Sequence, residues 1–120
     1  MERDPVLVIE ELAERLGRFR PEAYFFILRS LEFTRQRLQL PGHVSGRELA
    51  EGARDLALEE FGPMALDVLN HWGLTATIDL GRMVYDLIEA DLLRKTDEDS
   101  LDDFAEVYDF REAFEQGYRW

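Results

Sequence analysis

Apolar residues recur at intervals of three and four along most of the chain, the spacing of helices that bury one face. Asp4-Pro5 predicts the first start: a capping carboxylate, then proline at the first helical position, where its missing N–H costs nothing. Val6, Ile9, Ala13 and Leu16 form one stripe, widened by Val8 and Leu12, until Gly17 closes it. Pro21-Glu22 opens a second helix running to about Gln39, with Tyr24, Ile27, Leu28, Leu31 and Leu38 on its stripe. Phe25, Phe26 and Phe33 widen that stripe, which predicts a central core helix; a homodimer contact through this helix is the alternative. After Leu40-Pro41-Gly42-His43, the run Ser45-Gly46-Arg47-Glu48 reads as a capping box for a third helix that buries Leu49, Ala53, Leu56, Ala57 and Phe61. Gly52 inside it costs about 1 kcal/mol relative to alanine, so a close approach of another backbone is expected there.

Gly62-Pro63 then separates the third helix from a short fourth one, lined by Met64, Ala65, Val68, Leu69 and Trp72 and closed by Gly73. Thr77 is the expected cap of a fifth helix carrying Leu80, Val84, Leu87 and Ile88 to about Ala90. Residues 92–96 read as a short strand. Asp99 is the expected cap of a turn over Leu101 and Phe104, and 107–110 either pairs with the strand or begins a final helical turn. The pattern predicts a mainly α single domain of five helices. It has a helix-turn-helix or winged-helix-like core between Phe61 and Thr96, and one short β-hairpin near 92–110.

Charge changes what that skeleton can do. The formal net charge is −12, and residues 61–120 hold five basic against fourteen acidic groups, or −9. Such a field repels phosphate backbones and acidic lipid surfaces. On the fifth helix Asp79, Asp86, Glu89 and the following Asp91 face a single Arg82, a poor set for reading a major groove. The absence of cysteine removes disulfides, thiolate metal sites and cysteine nucleophiles. No apolar run is long enough to span a membrane, and the first residues lack a signal-peptide pattern, so a cytoplasmic location is expected.

The candidate chemistry is sparse. His43 and His71 are the only histidines, with no HExxH spacing, and each has a simple structural use in a loop or in a helix's last turn. The acidic run from Asp97 fails as an EF-hand loop, because Leu101 stands where an oxygen ligand belongs and Tyr108 replaces the bidentate glutamate. Nothing matches GxSxG, a P-loop or GxGxxG. No catalytic residue, cofactor site or metal site is therefore assigned.

The segments His43-Val44-Ser45-Gly46, Phe61-Gly62, His71-Trp72-Gly73, Asp79-Leu80-Gly81 and Tyr108-Asp109-Phe110 resemble the Minf family of uncharacterised bacterial proteins, over about Pro21 to Phe114. The resemblance implies a cytoplasmic bacterial single domain and brings no catalytic residues with it. With the cap and charge analysis, it directs attention to His43, Ser45, Arg47, Trp72, Asp79, Arg82 and Tyr108 as a candidate functional surface. The expected function is a non-enzymatic protein-interaction or regulatory module with a basic or apolar protein partner. A nucleic-acid-binding winged helix, and an enzyme or metal site around His43 or His71, are the competing readings.

Overall fold

Each of the five predicted helices forms, and their ends show why. A computed structural model describes residues 4–39, 43–94 and 99–116. The helices are α1 (Pro5–Leu16), α2 (Pro21–Leu38), α3 (Gly46–Phe61), α4 (Ala65–His71) and α5 (Thr77–Glu89). Asp4 Oδ1 accepts the Val6 N–H at 2.9 Å, and Gly17 leaves α1 in the left-handed region at φ 66°. The Ser45–Glu48 capping box is present in both directions, at 3.1 and 2.9 Å. Gly62–Met64 forms one 3-10 turn before α4, so the proline starts a tight turn and the α-helix proper begins at Ala65.

The wide stripe of α2 belongs to a central helix. Ala23, Tyr24, Phe26, Ile27, Ser30 and Thr34 are buried, and α2 packs against α1, α3 and α5. Two hydroxyls can lie in this core because each donates to its own helix: Ser30 Oγ to Phe26 O at 2.9 Å and Thr34 Oγ1 to Ser30 O at 2.7 Å. Thr34 fits only because α3 presents a bare glycine. A Cβ at Gly52 would stand 1.8 Å from Thr34 Oγ1. The helix-propensity cost of Gly52 is thus explained by the α2–α3 crossing, although the approaching atom is a side chain rather than backbone.

After α5 the structure takes the second alternative, a final helical turn beginning at Phe110, and not the hairpin. Leu92 and Leu93 are bends, Leu101–Phe104 is a 3-10 turn, and no strand occurs among the described residues. The cause lies at Thr77. It does not cap α5; the N-cap is Ala76, whose N–H and that of Thr75 are held by the Asp79 carboxylate at 3.3 and 2.9 Å. Thr77 is instead buried, donating its hydroxyl to Phe104 O at 2.6 Å and accepting from the Val107 N–H at 3.2 Å. The Val107 N–H, which a 107–110 strand would pair, is thus taken by a side chain. Ser100, not Asp99, caps the turn, accepting from the Asp102 N–H at 3.2 Å. The last turn, Glu112–Gln116, is π-helical and buries Phe114. The predicted break at Leu40-Pro41-Gly42, residues 95–96 of the predicted strand and the tail beyond 116 lie outside the described residues.

Two acids of the fifth helix were expected on an open recognition face, and both are buried. Asp79 caps its own helix and pairs with Arg82 at 2.8 Å. Asp86 accepts from Tyr24 Oη at 2.9 Å and from Arg18 at 2.7 Å, tying the α1–α2 link and α2 to α5. A buried carboxylate is tolerated when its lone pairs are met in this way.

Two outcomes follow from this packing. Gly52→Ala should lower stability in urea unfolding by about 1–3 kcal/mol, and Thr34→Ala in the same chain should recover part of that loss. Additive losses in the double variant would contradict the clash. The second concerns alkaline pH. Burial raises the Tyr24 phenol, reinforced by its bond to Asp86 and that carboxylate's charge and opposed by Arg18. Tyr108 is raised by burial against the opposing charge of Arg54, and Tyr85 by burial and then by Asp99 and Asp103. The unfolded chain loses these protons near pH 10 while the folded chain keeps them. Stability is therefore intact below about pH 10 and declines above it, by at most about 1.4 kcal/mol per pH unit for each phenol. Urea midpoints measured on either side of that pH should show the decline, and Tyr24→Phe should make it shallower.

Candidate functional site

The apolar faces of α2, α3 and α5 meet imperfectly at one end of the bundle and leave a pocket of about 320 Å³. Leu31 from α2, Val44 and Leu49 around the start of α3, Val84 and Ile88 from α5, and Phe104 form its apolar wall. The polar lining includes Arg35, His43, Asp91, Arg94, Asp99 and Asp103. Tyr85 lines it too, and among the described residues its buried hydroxyl oxygen has no hydrogen-bond partner. Burial, with Asp99 and Asp103 nearby, raises the phenol above its ordinary pKa, so the group is a protonated donor at neutral pH.

Across the pocket, His43 Nε2 lies 2.7 Å from Asp99 Oδ1. This pair joins the entry to α3 to the segment before the 101–104 turn. Asp103 Oδ2 accepts from the Ser100 N–H at 3.1 Å. Ser100 also lines the pocket, with its own hydroxyl engaged as a cap. Among the described residues, no group of three or more His, Asp or Glu side chains is arranged to hold a metal.

The residues singled out from sequence do not converge. His43 alone lines this pocket, while His71 sits at the end of α4 beside a shallow groove with Arg18 and Arg20. Ser45 is a cap, and Arg47 is exposed, 3.8 Å from Glu51. Trp72 packs with Phe26 and Phe61, at ring-centroid distances of 5.8 and 5.6 Å. Tyr108 donates to Ala50 O at 2.8 Å beneath the Arg54 guanidinium, which bonds Asp55. Burial pushes the Asp55 carboxyl up, but bonds from Arg54 and Arg37 outweigh it and hold the group below its ordinary pKa. Arg47, Arg54 and Arg82 each face a carboxylate and form no shared basic surface.

Sequence reasoning missed Tyr85 and Arg35. Tyr85 sits beside Val84 at the edge of the α5 stripe, where an aromatic reads as ordinary core. Arg35 reads as one more solvated charge on α2. Only the fold sets them on one cavity.

A buried hydroxyl without a partner costs stability, by about 1–3 kcal/mol relative to a satisfied group. Tyr85→Phe should therefore leave the melting temperature unchanged or raise it. A clear drop would show that the hydroxyl supports the fold.

No family model, no curated protein and no solved structure matches this chain.

Proposed function

We propose that this domain binds a small ligand in the pocket between α2, α3 and α5, and that it acts as a non-enzymatic regulatory module. One observation carries the reading: a cavity of about 320 Å³ has an apolar wall and an unsatisfied buried hydroxyl, Tyr85, in its lining. Ligand sites are concave, largely apolar and furnished with a few polar groups, at about 300–1000 Å³, so this one suits a small molecule. The expected protein partner would then respond to ligand occupancy. Val6, Leu7 and Met64 are exposed apolar side chains. Such residues are common singly on protein surfaces and do not by themselves make a docking face.

The competing readings have less support. Major-groove reading needs an open fifth helix, and the 101–104 turn packs over it at Gly81. Hydrolytic chemistry needs a base poised on a nucleophile. Here the His43 Nε2 is turned to Asp99, and the Ser100 hydroxyl accepts from backbone.

Titration of the isotope-labelled chain with a library of small apolar and amphipathic fragments tests the proposal. Saturable shifts should centre on the amides of Val44, Leu49, Val84 and Tyr85. Val84→Phe, which narrows the cavity from a half-buried position, should abolish them while the chain stays folded. If the hits shift other surfaces only, or bind Val84→Phe equally well, the pocket is not the site.

A further inference from the structure

The hydrogen-bond donors around the pocket are not all used, and the unused ones select a ligand class. Among the described residues Arg18, Arg29, Arg37, Arg47, Arg54, Arg82 and Arg111 each have a carboxylate within 4 Å. Arg35 and Arg94 have no such partner among the described residues, and both line the pocket. Arg15 and Arg20 are likewise unpaired but lie on other grooves. Of the acids in the same lining, Asp99 lies against His43, and Asp103 accepts the Ser100 N–H while keeping its charge. Asp91, just past the end of α5 at φ 65°, remains; it lines both this pocket and the groove that holds Arg15. Two guanidinium groups and one phenolic O–H are therefore donors without an acceptor among the described residues, in a lining that also holds three carboxylates.

Resting on the pocket reading above, we infer that the ligand is a small amphipathic carboxylate. Its apolar body lies against Leu49, Val84, Ile88 and Phe104, and its anionic head takes hydrogen bonds from Arg35, Arg94 and the Tyr85 hydroxyl. The chemistry of the donors favours this class. Guanidinium groups match carboxylates in shape as well as charge, and a buried phenol gains most from a charged acceptor. The net charge of −12 opposes an anion at long range. At physiological ionic strength that field is screened beyond about 8 Å, so the groups lining the cavity decide. A cationic ligand would have Asp91 and Asp103 to meet, but it would leave both arginines and the phenolic O–H without an acceptor.

Phenylbutyrate, phenylbutylamine and phenylbutanol share one apolar body and differ in the head, so their binding to the full chain separates the readings. At neutral pH, by calorimetry and by amide shifts at Val84 and Tyr85, phenylbutyrate should bind at least about tenfold more tightly than the other two. That preference should shrink with added salt and vanish in the Arg35→Gln/Arg94→Gln variant, whose changes are at exposed positions. Tyr85→Phe should weaken phenylbutyrate by about tenfold and phenylbutanol by less. Equal or tighter binding of the amine would overturn the carboxylate inference and leave the pocket standing. Failure of all the probes to shift Val84 or Tyr85, with the fragment library also silent there, would remove the pocket reading itself.

Discussion

The ring of Phe104 fills space that two absent side chains would otherwise claim, and the second half of the molecule depends on that fit. A Cβ on Gly46 would lie 3.0 Å from this ring, and one on Gly81 only 2.6 Å from it. Two helices from distant parts of the chain thus offer bare backbone to one aromatic, and the 101–104 turn seats against both. Thr77 fixes the depth of the seat by holding the Phe104 carbonyl and the Val107 N–H together. The same seat forms part of the pocket wall and sets Asp103 beside Tyr85. With Phe104 in place, its carbonyl and the Val107 N–H are satisfied by a side chain of α5 instead of by a paired strand.

Two of the acids in this protein are spent inside the molecule. The acids that make α5 look hostile to DNA include its cap, Asp79, and a buried tie, Asp86, neither of which presents its charge to solvent as a helical wheel implies. Burial of Asp86 costs solvation, and the bonds from Tyr24 and Arg18 offset that cost only while both are aligned. This arrangement makes the α1–α2 link part of the core instead of a free loop. A net charge of −12 therefore says little about any one surface. Local pairing decides which charges remain available to a ligand.

The first half of the chain was legible because its signals are local. Asp4-Pro5, Pro21-Glu22 and the Ser45–Glu48 box satisfy helix ends within a few residues, and their helices begin where those signals stand. Gly52 showed in advance that something packs closely, though not that it was Thr34. The errors sit where distant residues compete for the same group. Thr77 is a good local cap, but a carbonyl twenty-seven residues on claims its hydroxyl, and Asp79 caps from inside the helix instead. The pocket was illegible for the same reason: its walls come from α2, the start of α3, α5 and the 101–104 turn, and none of those segments carries a mark of it alone.

Natural domains satisfy buried polar groups and pair charges where they can, so departures from both rules in one place are informative. Most departures could be accidents of a small protein. A partnerless hydroxyl is an ordinary defect when it lies among close-packed side chains, and an unpaired surface arginine is ordinary anywhere on a solvated face. Here Tyr85, Arg35 and Arg94 fall around one cavity, in a chain whose other buried polar side chains (Ser30, Thr34, Thr77, Asp79 and Asp86) all have partners. The core is packed closely enough to exclude a Cβ at Gly52 and Gly81. A fold that closes so tightly at its helix crossings, and sets a partnerless hydroxyl and two open guanidinium groups around one cavity, has the economy of a binding site, where lost stability is recovered when the ligand arrives.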